Sequence, residues 1–415
     1  MKKKDNSRIF AIFLLVIFII VATIFFIHIR NNTSAETEVK AYLYDPIAKE
    51  LVPLKVNTSE SPELAARAIF DTLKTPSDIS YFPTVPKTFN LDYAKLDKDT
   101  LSINIITNGT TLSQRNEYIA FLSIANSMKS IKGVDNLKIL VNSNESKVFL
   151  RYVDIAQTLS NLTSTLPKFR ETNLFFITPD MQYLALENRE ILDNKDPQVL
   201  AKEVLNELSY GSNIGLVSYF KSDYIKGIEL KSFGNAILDF SDKINELSFG
   251  SKDATLFTLS VVNSLTEIKD IKSVSFLIEG EKVDTLFGII DATYPIKRFF
   301  EEPSLSFMIP YFVLDVNGAT AYVPTPIPTQ KIDLKSLFAV LQNGVNGLKT
   351  YLSNVSLDSI SQSDDTLKIV LKPAKILSAE ESNYIKNQVM LTFTELSGIN
   401  KIDLSIGEEG FILSR

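Results

Sequence analysis

Ser123-Ile124-Ala125-Asn126-Ser127-Met128-Lys129-Ser130-Ile131-Lys132-Gly133-Val134 returns, in pattern, as Ser260-Val261-Val262-Asn263-Ser264-Leu265-Thr266-Glu267-Ile268-Lys269-Asp270-Ile271. The Asn-Ser pair and the apolar positions coincide at an offset of 137 residues. Each stretch reads as the end of a helix running into a tight turn. A strand follows in both places, Leu137–Val141 and Val274–Ile278. A fainter third version is Val389–Ile399, with Ile402–Ile406 behind it as a cleanly alternating, half-buried strand. Asn142-Ser143-Asn144, Glu279-Gly280-Glu281 and Gly407-Glu408-Glu409 close the strands as turns. A period this long makes each copy a domain rather than a solenoid repeat.

Upstream landmarks repeat as well. Asp99–Asn104, Asn235–Phe240 and Asp365–Val370 each read as a turn opening an alternating strand. Ser61-Pro62 and Asp196-Pro197 supply an N-cap with proline in the first turn, and Asp333 is the cap expected in the third copy. Apolar residues then recur at helical spacing: Leu64, Ala68, Ile69 and Leu73; Val199, Val204 and Leu208; Leu334, Leu337, Phe338 and Leu341. First strands are expected at Val39–Tyr44, Leu174–Ile177 and Leu305–Ile309. The unit is thus strand, strand, helix, loop, strand, long helix, strand. Helices on one face of a small mixed or antiparallel sheet give an α+β sandwich. Leu166-Pro167 and Glu301-Glu302-Pro303 mark linkers. The expected domains are 37–165, 170–300 and a divergent 304–415.

Ahead of these domains, Ile9–Ile29 is an uncharged run of 21 residues. At ~1.5 Å per residue it matches a hydrocarbon core of about 30 Å. Lys2, Lys3, Lys4 and Arg8 precede it and Arg30 alone follows closely. The positive-inside rule therefore predicts a cytoplasmic tail at 1–8, a transmembrane helix at 9–29 and an extracytoplasmic remainder. A cleaved signal peptide is the competing reading, with Thr33-Ser34-Ala35 a poor cleavage site; either way the body is exported.

Residues 1–30 hold five basic residues against Asp5, a net +4, which leaves −10 for the rest of a chain whose total is −6. An acidic body argues against nucleic acid as a partner. There is no cysteine, which excludes disulfides, thiolate metal sites and a cysteine nucleophile. His28 is the only histidine and lies at the end of the apolar run. Imidazole-dependent triads and His-ligated metals are therefore closed to the body.

The remaining chemistry is carboxylate. Glu279/Glu281, Glu301/Glu302, Asp364/Asp365, Glu380/Glu381 and Glu408/Glu409 fall in expected turns or helix starts, where solvation or the helix dipole favours acids. Gly344-Val345-Asn346-Gly347 lacks the lysine of a phosphate loop. Sequons such as Asn108-Gly109-Thr110 are ordinary in an Asn- and Ser-rich chain. Tyr42, Tyr44, Phe175 and Phe176 read as strand core rather than a ligand groove. Tyr311-Phe312 and Pro324-Thr325-Pro326-Ile327-Pro328 read as loop, with an extended partner surface as the sharper alternative. No catalytic, cofactor-binding or metal residue, and no cofactor, is expected.

These landmarks resemble the GerMN domain family of sporulation and spore germination proteins. The family pattern is met by a Tyr-rich first strand with an acidic turn, Ala41-Tyr42-Leu43-Tyr44-Asp45-Pro46, and by the helix Ala65–Leu73 running to Pro76. A proline-bearing loop, Phe82-Pro83-Thr84-Val85-Pro86, a strand like Thr100–Ile105 and the closing Val274–Gly280 complete it. The resemblance covers most of 37–290 and extends weakly over 304–412. The family's usual arrangement is two domains behind a lipoprotein signal; this sequence has three units behind an apolar run and no lipid-bearing cysteine. The resemblance implies a fold like the ring-building domains of secretion systems and an extracytoplasmic role in sporulation or the envelope. It brings no catalytic residues.

The function expected is therefore a non-enzymatic, membrane-anchored scaffold or interaction protein of the sporulation, germination or cell-envelope machinery, with homo-oligomers possible through sheet edges and helix faces. The alternative is a ligand-binding or sensory module for peptidoglycan fragments or germinants, which calls for a pocket with convergent polar groups in one copy only. A carboxylate-only wall hydrolase is the third reading, and requires two acids in one cleft.

Overall fold

The computed structural model describes residues 37–58, 61–301, 306–345 and 347–414. The expected cytoplasmic tail and transmembrane helix lie outside the described residues. Among the described residues no helix is long and apolar enough to cross a membrane. The chain forms two compact units, divided between Lys168 and Phe169.

The first unit is copy one. It opens with the hairpin β1 (Thr37–Asp45) and β2 (Glu50–Thr58), then α1 (Pro62–Lys74). A second hairpin, β3 (Asn90–Asp97) and β4 (Thr100–Ile106), leads to α2 (Gln114–Lys129) and β5 (Asn136–Val141). β5 lies parallel to β4, so the sheet order is β3-β4-β5, mixed in direction. The short α3 (Ile155–Ser160) ends the unit. α1 and α2 pack between these strands around one core that includes Ala41, Leu43, Ile69, Phe70, Ile103, Phe121 and Ile124.

Copy two repeats the order with β6 (Phe169–Ile177), β7 (Leu184–Leu192), α4 (Pro197–Ser209), β8 (Ile225–Leu230), β9 (Asn235–Phe240), α5 (Ser251–Leu265) and β10 (Ser273–Ile278). Four two-residue strands follow: β11 (Glu281–Lys282), β12 (Thr285–Leu286), β13 (Ile290–Asp291) and β14 (Ile296–Lys297). Copy three has β15 (Ser306–Met308), the hairpin β16 (Tyr311–Val316) and β17 (Ala319–Pro324), β18 (Ile327–Thr329), and α6 (Leu334–Asn343). β19 (Val355–Ser363), β20 (Thr366–Pro373), α7 (Ala379–Phe393), β21 (Lys401–Ile406) and β22 (Glu409–Leu413) complete it. In both copies the strand after the long helix again lies parallel to its predecessor, β10 to β9 and β21 to β20. The class is mixed α and β, in tandem copies.

The expected caps form. Ser61, Asp196 and Asp333 each accept a backbone N–H of the first helical turn. Ser378 and Glu381 make a full capping box at the start of α7.

Three expectations need correction. The loop ahead of each alternating strand contains a strand: β3, β8 and β19. Each carries a bulge, at Asp92, Lys226 and Asp358. One extra residue shifts the inside–outside phase, which erases the period-two signal that marks a strand. The face of α1 is also displaced: it buries Ala65, Ala66, Ile69, Phe70 and Leu73, while Leu64 is exposed. Finally, the first hairpin of copy three begins at Tyr311, not at Leu305. Residues 306–308 pair instead with β18, Met308 against Ile327 and Phe307 against Pro328. Pro310, lacking an N–H, separates the two strands.

Candidate interaction site: the seam, the groove and the strand edges

The Asn-Ser pair that identifies the repeat has a physical role in copies one and two, and Thr392 takes the serine's role in copy three. The Ser127 hydroxyl donates to the Ser123 carbonyl one helical turn back and accepts the Tyr42 N–H of β1 at 2.7 Å. The Ser264 hydroxyl donates to the Ser260 carbonyl and accepts the Phe175 N–H of β6 at 2.8 Å. Thr392 accepts the Tyr311 N–H of β16 at 3.0 Å, and Gln388 donates to the Tyr311 carbonyl. The long helix thus satisfies the outer edge of its own first strand, which would otherwise hold buried orphan amides. The asparagine holds the segment that follows. Asn126 donates to the Thr163 carbonyl, and Asn263 accepts the Phe299 N–H. In copy three the matching residue is Leu391, buried in the apolar cluster between copies two and three.

Copies two and three join along a seam. β17 pairs with β7 through Tyr322 and Leu186, so the two hairpins become one sheet in the order β16-β17-β7-β6. Phe175, Leu186, Leu256, Phe299, Tyr311 and Leu391 form the dry part of the contact. Arg298 lies in it. One guanidinium meets Glu267 at 2.7 Å and Glu395 at 2.7 Å, donates to the Asn263 carbonyl at 2.8 Å, and lies 4.9 Å over the Phe175 ring. Tyr311 donates its hydroxyl to Glu395 at 2.6 Å. Glu267 and Glu395 each lie three residues beyond the strand-binding hydroxyl of their helix; copy one has Ser130 there, bonded to the Lys40 backbone. One arginine from the connecting segment therefore neutralises a pair of equivalent acids.

Other buried charges are likewise held by the fold. Glu117 of α2 accepts the backbone N–H groups of Leu150, Arg151, Tyr152 and Val153 at 2.9–3.1 Å, wrapping that loop around its carboxylate. Arg189 bridges Glu187 and Glu207, all three nearly fully buried. Burial alone would lower the Arg189 pKa; the two carboxylates outweigh it and the net shift is upward.

The segment after β10 forms an open groove of about 610 Å³, lined by residues including Ile289, Ile290, Tyr294, Pro295, Asp291 and Lys297. Tyr294 is exposed and Ile290 buried. Asp291 titrates below the ordinary carboxylate range because the Thr293 backbone N–H, and then its side chain, bond the charged form. The groove belongs to copy two; a short apolar-and-charged lining of this kind was not legible in the sequence, because two-residue strands carry no periodicity.

The acidic pairs weighed in the sequence occupy turns and caps. Glu279, at positive φ, binds Lys226 and the Asp242 N–H. Asp364 and Asp365 form the β19–β20 turn, Glu408 lies in the β21–β22 turn with Glu409 opening β22, and Glu380 and Glu381 lie in the first turn of α7. Glu281 and Glu301 are exposed, and Glu302 is outside the described residues. No group of three acidic or imidazole ligands among the described residues is placed to hold a metal ion. Tyr42 and Tyr44 are half-buried; Phe175, Phe176, Tyr311 and Phe312 are core. Gly344 ends α6, and the proline run ends β17 and forms β18.

Residues 173–284, from β6 to just before β12, match the family model Germane, described as sporulation and spore germination. Over that stretch, copy two is similar to the Germane family. The matched stretch covers most of copy two, and copies one and three repeat the element order of that stretch. No curated protein matches the chain. Among solved structures, the tandem GerMN domains of the sporulation protein GerM from Bacillus subtilis align at 19% identity over 60% of this chain and 97% of that one, with a TM-score of 0.49. A putative lipoprotein from Clostridium perfringens aligns at 22% identity over 32% of this chain and 89% of that one, with a TM-score of 0.23. The first GerMN domain of the Bacillus subtilis GerM aligns at 20% identity over 31% and 98%, with a TM-score of 0.26.

Proposed function

We propose that this chain is a non-enzymatic, membrane-anchored interaction protein that works outside the cytoplasm in sporulation or germination. The observation that carries the reading is the Germane match over copy two. The apolar run at 9–29, with basic residues ahead of it, supports anchoring with the body exported. Buried charges tied up in internal contacts, at Glu117, Arg189 and Arg298, support a role in contact rather than chemistry. The partners are other envelope or sporulation proteins. Two measurements test this. Protease added to intact protoplasts should degrade the body while sparing residues 1–8; a shielded C-terminal region would overturn the topology. Crosslinking in sporulating cells should capture envelope proteins; recovery of the chain with no such protein would overturn the role.

A second reading is favoured by the groove beside Tyr294. It is confined to copy two and combines apolar walls with Asp291 and Lys297, the lining expected for a small ligand such as a peptidoglycan fragment. Saturation-transfer NMR with purified muropeptides tests it: signal lost in Tyr294→Ala supports it, and no transfer to the unaltered chain removes it.

A further inference from the structure

The three copies differ at one edge. In copies two and three the second strand of the first hairpin has a neighbour, since β7 and β17 pair with each other. Among the described residues, β2 is paired with β1 alone. Register shows which of its backbone groups face outward. Lys40 and Tyr42 of β1 direct their N–H groups to Ser130, just past the end of α2, and to Ser127 of α2, away from β2. Their cross-strand partners are Lys55 and Pro53. In an antiparallel ladder both members of such a pair point their amide groups away from each other. Pro53, Lys55 and Asn57 therefore present their backbone to the open side of β2.

That edge carries two obstacles to a further strand. Pro53 has no N–H to donate, and Lys55 is a largely exposed charge beside it. Proline and lysine are the residues that blunt strand edges. The seam supplies an internal comparison. Pro324 of β17 occupies the position of Pro53, opposite Tyr311 whose N–H goes to Thr392. The β17–β7 pairing is made at Tyr322 and does not extend through Pro324. The outer strands β3, β8 and β19 are blunted in another way, by the bulges at Asp92, Lys226 and Asp358.

We infer that Pro53 and Lys55 close the free hairpin edge of copy one, so that a second copy of this chain does not join through β2. The hairpin pairing used once inside the chain is thereby prevented from recurring between chains.

The test uses the full chain in detergent micelles, as the unaltered protein, as Pro53→Val with Lys55→Val, and as Pro53→Val alone in case the double variant folds poorly. Amide exchange at positions 55 and 57 is followed across a wide concentration range, with the detergent-corrected mass measured by light scattering. In the unaltered chain these amides should exchange rapidly at every concentration. In the variant their protection should rise by about tenfold or more with concentration as the mass doubles. Steady protection at Val39 and Ala41 shows that the β1–β2 hairpin is intact. Concentration-dependent protection in the unaltered chain would overturn the inference, because the edge would already be a joint. Unchanged exchange in both folded variants would overturn it too, because the two residues would not be the barrier.

Discussion

Ser264 accepts the N–H of Phe175 at 2.8 Å, with both residues buried, and so fixes the first strand of copy two to its long helix. Ser127 with Tyr42 and Thr392 with Tyr311 repeat the bond. A hydroxyl is needed because it can donate back to its own helix and accept from the strand at the same time.

Ser264→Ala leaves the Phe175 amide without this acceptor and should cost about 1–3 kcal/mol in urea unfolding. Thr392→Ser keeps the hydroxyl and loses one methyl, so about 1 kcal/mol or less is expected. Equal losses at the two sites would show that the hydroxyl is not what matters.

Arg298 is shared by Glu267 and Glu395 in a contact where all three side chains are mostly buried. Arg298→Ala leaves two acids facing each other and should lose on the order of 3–5 kcal/mol. Adding Glu395→Gln should recover part of that loss, since it removes one of the stranded charges. A double-mutant cycle with no coupling between positions 298 and 395 would contradict the seam geometry.

Glu117 gathers four successive amides of the loop at 150–153. Glu117→Ala should release that loop, with a loss on the order of 3 kcal/mol. Limited proteolysis should then cut between residues 147 and 155, and should spare that loop in the unaltered chain. Glu117→Gln keeps one acceptor oxygen and should fall between the two.

Acid should weaken the fold. Glu279 and Glu381 titrate below the ordinary 4.5, chiefly through bonds from Lys226 and Lys375. Asp333 lies below the ordinary 3.8 through Ser336. Depressed folded-state values mean stability that is present above those ordinary values and lost as the pH falls through the lowered ones. Each group lies at the surface within reach of solvent, so each contribution is small. The melting temperature should stay nearly level from about pH 6 to 8, where a chain with one histidine has little to titrate, and decline below about pH 4.5. A transition centred near pH 6.5 would contradict this assignment.

Repetition, caps and alternation were legible in the sequence because they are local. Asn126-Ser127 and Asn263-Ser264 marked the repeat, and Ser61, Asp196 and Asp333 marked helix starts, before any contact was known. The β3, β8 and β19 strands were not legible, since a bulge breaks the period by which a strand is recognised. The groove at Tyr294 was hidden for a related reason: its strands are too short for any pattern.

By itself the sequence determined that the chain holds three related α and β units behind an apolar run, that its body is acidic, and that imidazole and thiol chemistry are closed to that body. Only the tertiary structure decided that copies two and three join through β7 and β17, and where Arg298, Glu267 and Glu395 meet. Propensity and periodicity act between near neighbours in the chain, whereas an ion pair between residues 298 and 395 or a bridge between 186 and 322 depends on how copies two and three pack.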